Sequence, residues 1–139
     1  MTDAEAAAGI RPMMQRDRAS AALGMRVDRD EAGLAVVSMR VRDDMLNGFG
    51  ITHGGLVFAL ADTAFATASN EDERVTVAAG ADITFLKSTH LGQLLSATAV
   101  RRAVSGRSGV YDVTVTDETG DVIAEFRGRS LTTDRTTAG

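Results

Sequence analysis

One aspartate, Asp62, stands in the run NGFGITHGGLVFALADTAFATAS (residues 47–69), among small or apolar residues and behind a histidine and two glycines. A carboxylate in such surroundings is costly if left unpaired, or is pushed towards its neutral form. It needs a partner, such as a backbone group or an arginine, or a chemical purpose. The glycines indicate what that purpose would be. Gly54 and Gly55 precede an apolar helix, where backbone N–H groups lack acceptors at the positive end of the helix dipole, and such a site suits an oxyanion. The same glycines also read as turn residues that need unusual backbone angles. Gly54 and Asp62 are eight residues apart, roughly 12 Å along one helix axis. Within one chain they cannot serve one small reacting group. If both are catalytic, the donor of one chain must face the carboxylate of another.

Other chemistries find little support. A hydrolase elbow needs G-x-S-x-G, and residues 106–110 (GRSGV) misplace the second glycine and lead no strand into a helix. There are two histidines, His53 and His90, without metal-ligand spacing, so no metal is expected. The absence of cysteine removes disulfides, a thiol nucleophile and thiolate metal sites. Phosphate-loop and dinucleotide glycine motifs are missing. His53, at a loop-to-helix junction, reads as a residue that hydrogen-bonds the loop or a substrate carbonyl. His90 reads as a surface turn residue.

The elements that carry these residues follow from patterning. Residues 12–22 predict a short helix with Pro12 at its first position and Gly24 past its end. Residues 23–30 and 33–41 read as a hairpin turning at 31–33, and residues 55–69 as a helix. Four strand-like runs follow at 75–86, 93–104, 109–117 and 122–133. In the third, Tyr111, Val113 and Val115 alternate with Asp112, Thr114 and Thr116. Residues 1–9 are expected to be loose and 134–139 disordered. The order is helix, two strands, helix, four strands, which is an α+β domain with a mostly antiparallel sheet covered by one helix. That helix is apolar on every side of its wheel, and a sheet covers only one side. A second copy of the chain is the expected cover for the other.

Composition sets the outer limits. The 139 residues suit one domain, with 44% hydrophobic, 24% charged and 4% aromatic residues and no Trp, so the core rests on Ala, Val, Leu and Met. A net charge of -4, with no basic block longer than Arg101-Arg102, argues against a nucleic-acid partner. The N-terminal residues lack the pattern of a secretory signal, and no apolar run approaches a membrane span. A cytoplasmic protein is expected, with neither nucleic acid nor membrane as partner.

The motifs LNG (residues 46–48), HGG (53–55) and LADTAFA (60–66) resemble the PaaI thioesterases of the hotdog-fold superfamily. The segments DITFLKS, GVYDV and FRGRS extend the resemblance over about 110 residues. It implies an antiparallel sheet wrapped around one long helix, paired into a dimer through the sheet and commonly doubled into a homotetramer. It implies hydrolysis of acyl-coenzyme A thioesters, of phenylacetyl or hydroxyphenylacetyl type, with no cofactor because coenzyme A is part of the substrate. Carried over, Asp62 is the catalytic carboxylate, Gly54 the oxyanion donor, and Asn47 the polar residue lining the thioester site. His53, Gly55, Thr63, Lys87 and Arg107 are expected to bind substrate. Lys87, Arg101, Arg102 and Arg107 are the candidates for the coenzyme A phosphates. Where the family often has Arg-Pro, this chain has Lys87-Ser88, which keeps the charge and loses the rigid turn. Two other readings use the same fold: an enoyl-thioester hydratase or dehydratase pairing His53 with a partner's Asp62, or a module that binds acyl-coenzyme A without turnover.

Overall fold

The computed structural model describes residues 12–136. The chain opens on two short helices, α1 (Pro12–Gln15) and α2 (Arg18–Ala22), where the sequence predicts one. Asp17 makes the break. Its backbone is extended, and its side chain accepts the Ser20 N–H at 2.9 Å, capping α2. An aspartate that can bond its own backbone favours the cap over the helix interior.

The predicted hairpin is β1 (Arg26–Glu31) and β2 (Leu34–Arg40), turning at Gly33, whose φ of 68° suits glycine. A 3-10 turn (Asp43–Met45) and a loop lead to α3 (Gly54–Ser69). Then come β3 (Arg74–Phe85), β4 (Leu94–Ser105), β5 (Ser108–Thr116) and β6 (Val122–Thr136). Apart from the split first helix, this is the predicted order. All six strands form one antiparallel sheet, ordered β1-β2-β4-β5-β6-β3. One expectation is corrected: residues 134–136 are not disordered but strand, because β3 reaches back to Arg74 and pairs it with Thr136. The expectations for residues 1–9 and 137–139 lie outside the described residues.

Alternation decides which sheet face packs. On β5, Gly109, Tyr111, Val113 and Val115 are buried, while Asp112 and Thr114 lie on the other face. α3 crosses the buried face with Leu60, Ala61, Ala64, Phe65 and Ala68 inward. The Phe65 ring lies against Gly128, where a Cβ would come within 2.6 Å of it, and packs on Tyr111 and Phe126 with centroids at 5.5 and 5.9 Å. Any side chain at 128 would push the helix off the sheet. The opposite stripe of α3, made of Gly55, Phe58, Ala59, Asp62 and Ala66, is only partly covered by its own chain. Among the described residues no helix is long and apolar enough to cross a membrane.

Candidate active site

The site begins in the loop before α3. Leu46 bridges to Thr52, the Asn47 N–H donates to the Ile51 carbonyl at 2.8 Å, and Asn47 Oδ1 accepts the Phe49 N–H at 2.9 Å. Asparagine side chains stabilise turns in this way. Thr89 Oγ1 donates to Thr52 Oγ1 at 2.7 Å, and the Thr52 N–H donates to the Thr89 carbonyl at 2.9 Å. These buried threonines stitch the loop to the segment after β3. The His53 N–H donates to the Met45 carbonyl at 2.8 Å. Gly54 is thereby delivered to the first position of α3 in a fixed frame.

His53 caps that helix. Its Nδ1 accepts the Gly55 N–H at 3.2 Å, and its carbonyl accepts the Leu56 N–H at 2.9 Å. The Gly54 N–H has no acceptor among the described residues. Gly54 lines a cavity of about 260 Å³ with Asn47, Ile51, Val57, Phe85, Lys87 and Ser88. The Asn47 Nδ2 also has no acceptor among the described residues, since only its Oδ1 is engaged. Phe85 approaches Gly54 so closely that a Cβ would sit 3.2 Å from the ring. An unfilled N–H at the positive end of a helix suits an oxygen that develops negative charge.

Asp62 lies eight residues further on, roughly 12 Å along the axis, and does not line this cavity. It is half-buried and receives no hydrogen bond or cation among the described residues. Its reading as a cap or ion-pair partner therefore finds no support among the described residues. Burial holds its pKa above the usual aspartate value, and the negative charge of Asp17 adds to the rise.

The remaining predicted residues are not gathered in one place. Thr63 is buried with Oγ1 3.0 Å from Ser20 Oγ, so its hydroxyl faces α2 and not the cavity. The Gly55 N–H is taken by His53, which removes it as a free donor. Lys87 does line the cavity, with its ammonium held by Asp121 at 2.5 Å and Asp117 at 3.4 Å. The bond to Asp121, more than any other contact, holds its pKa above the ordinary lysine value. Arg107 lies instead in a polar cleft at the other end of α3, bound to the Thr132 carbonyl at 3.3 Å and to Asp134 at 2.5 Å. Arg101 pairs with Glu71 in that same cleft, and Arg102 pairs with Asp112 on the outer sheet face. With α3 about 24 Å long, Arg107 and Gly54 do not meet in one chain. His90 is exposed in the turn that closes on Gln93, as expected. Sequence reasoning missed Phe85 and Ser88 at the cavity and Asp17 near Asp62. For Asp17 a signal existed, because aspartate is among the preferred N-cap residues and helix-forming Arg18 and Ala19 follow it.

The sequence pattern of the Thioesterase superfamily matches residues 49–124, from the loop before α3 into β6. This chain belongs to that superfamily. The thioesterase is 41% identical over 118 residues to acyl-coenzyme A thioesterase PaaI of Escherichia coli strain K12, covering 85% of this chain and 84% of that protein. The structure of the E. coli PaaI protein from the phenylacetic acid degradation operon matches with a TM-score of 0.87 at 40% identity, covering 89% and 90% of the two chains. A Streptococcus mutans UA159 protein solved bound to acetyl CoA matches with a TM-score of 0.77 at 27% identity, covering 81% and 91%. The hotdog fold and the PaaI-like family implied by the sequence motifs hold, and the thioesterase is a hydrolase of thioester bonds.

Proposed function

We propose that this thioesterase hydrolyses an acyl-coenzyme A of phenylacetyl or hydroxyphenylacetyl type, in a site shared between two subunits of a homo-oligomer. The observation that carries this reading is Asp62: a half-buried carboxylate with a raised pKa and no partner among the described residues, on the helix stripe its own chain leaves partly open. A second copy laid on that stripe would bring its own Gly54 and Asn47 within reach, which the length of one helix forbids inside one chain. Asp62 takes a proton from water as the water oxygen attacks the thioester carbon, or attacks that carbon itself to form a mixed anhydride that water then hydrolyses. The Gly54 N–H receives the developing oxyanion, and the C–S bond breaks to release coenzyme A, whose sulfur takes up the proton. A thioester is already activated, so a Ser or Cys nucleophile is not required. The Asn47 amide is a further donor facing the thioester, and Lys87 lines the cavity with its ammonium shared between Asp117 and Asp121. His53 acts through the loop, as the cap that directs the helix start.

The test is free-thiol release from a panel of acyl-coenzyme A compounds with the wild type and Asp62→Ala. Phenylacetyl-coenzyme A should turn over faster than palmitoyl-coenzyme A, and the variant should be nearly inactive. Asp62→Ala turning over at the wild-type rate overturns the assignment. Repeated turnover in oxygen-18 water reports on the role of Asp62: label entering its carboxylate means direct attack followed by cleavage of the anhydride at Asp62.

A further inference from the structure

The helix α2 meets α3 at the turn that carries Asp62, through a directed chain of hydroxyls. Ser20 Oγ lies 2.7 Å from Asp17 Oδ2 and donates to it. A carboxylate has no proton to return, so the Ser20 hydroxyl is an acceptor on its other side. That side is Thr63 Oγ1 at 3.0 Å, which therefore donates. Ser20 and Thr63 are both buried, which shields their bond from competing water. Thr63 is the neighbour of Asp62 in sequence. The fastening leaves the Asp17 carboxylate within Coulombic reach of Asp62.

The other charges on elements packed against α3 are engaged elsewhere. Arg26 of β1 pairs with Asp28, and Arg29 with Glu31. Arg40 of β2 bonds the Gly92 carbonyl. Arg101 of β4 pairs with Glu71, and Arg74 of β3 with Asp72. Arg102, Asp112, Arg127, Arg129 and Asp82 pair with one another on β3, β4, β5 and β6. Arg18 of α2 is exposed. Among the described residues, the charge that acts on Asp62 is that of Asp17.

We propose that Asp17 is a positioning residue of the thioesterase: α2 is docked through Ser20 and Thr63 so that a second negative charge is held beside the catalytic Asp62. This rests on the reading of Asp62 as the carboxylate that acts on water. A carboxylate faced by a like charge binds a proton more tightly and is a stronger base once ionised. Asp17 raises the pH at which Asp62 ionises, and in exchange strengthens it as a base at neutral pH.

Asp17→Asn removes the charge and keeps an N-cap acceptor, and Asp17→Ser does the same with a shorter side chain. The experiment pairs the pH profile of kcat/KM with a carbon-13 titration of the Asp62 carboxyl. In either variant both the acidic limb and the Asp62 titration should move together to lower pH. An Asp62 titration that stays in place in both variants overturns the proposal, even if the rate falls, because a cap that merely supports folding would act that way. A titration that moves while the acidic limb stays in place upholds the influence of Asp17 and overturns the role given to Asp62.

Discussion

The two ends of α3 both open on cavities, of about 260 Å³ at Gly54 and about 140 Å³ at Ser69, and they differ in what is left unpaired. At the C-terminal end the chain satisfies itself. Asn70 Nδ2 donates to the Ala66 and Thr76 carbonyls at 2.8 and 3.0 Å, and its Oδ1 accepts the Thr76 N–H at 2.8 Å. Arg101 is paired with Glu71, and Arg107 with Asp134. At the N-terminal end the Gly54 N–H and the Asn47 amide have no acceptor among the described residues. Asp62, midway along the helix and away from that cavity, has no donor among them either. Folding normally pairs polar groups that it shields from water. Capacity left over beside a cavity is therefore available to a ligand in a way that the saturated end is not.

The largest effect should come from Asp62. Asp62→Ala should lower kcat by roughly 10² to 10⁴, the usual range for a lost general base, with the oligomer intact by light scattering. A stable folded monomer of the wild type at micromolar concentration would break the comparison at its root, since the open stripe of α3 would then need no partner.

Next is Gly54→Pro, which deletes the unpaired N–H at a first helical position, where proline is tolerated, and should cost about 10² to 10³ in kcat. The Phe85 ring crowds any Cβ at this position. Gly54→Ala carries the same Cβ and keeps the N–H, so the gap between the two variants reads the donor alone. In mixed dimers of Asp62→Ala and Gly54→Pro, one site carries both defects and the other neither, so activity should reappear on subunit exchange. Verified mixed dimers as inactive as either parent would show that the site is not shared.

A smaller effect is expected at the saturated end. Arg107→Ala breaks an exposed pair and should change kcat/KM by less than about threefold, with a stability loss under ~1 kcal/mol. A tenfold rise in KM at constant kcat would mean that Arg107 reaches substrate bound to another subunit, and would erase the contrast between the ends.

The smallest effects are in stability. The folded pKa of Asp62 is raised, so its contribution to stability is complete below about pH 4 and is lost as pH rises through the folded value. Asp62→Asn should therefore melt higher than wild type at neutral pH, with the difference vanishing at acid pH. Asp117 has the opposite sign. Bonds led by the Thr119 hydroxyl hold its pKa down at about 2, so its contribution is present above about pH 4 and is lost as pH falls through that lower value. Asp117→Asn should lower the melting temperature at neutral pH and converge with wild type near pH 2.

Much of this was legible in the chain. Alternating Tyr111, Val113 and Val115 placed β5, and the turn residues around Gly33 placed the hairpin, because a strand with one buried face writes its period into the sequence. The motif glycines were visible as well, and Gly128 proves to be the seat of Phe65. The split at Asp17 was missed because a cap and a helical interior differ by one local hydrogen bond. The strand at 134–136 was missed because its reason lies in Arg74, about 60 positions away in sequence.

Local chemistry was enough to single out Asp62 and Gly54 and to keep them apart, since helical rise is a property of the backbone and needs no tertiary information. The family was legible by a different route, through the resemblance of short motifs that lie within single stretches of the chain. The pairing of charges was decided only by the folded chain. That Lys87 meets Asp117 and Asp121, Arg107 meets Asp134, and Thr63 gives its hydroxyl to Ser20 follows from strand register and helix docking. These bring together residues 30, 34, 27 and 43 positions apart. A side chain states which bonds it can make, and the register of its neighbours decides which of them are already made.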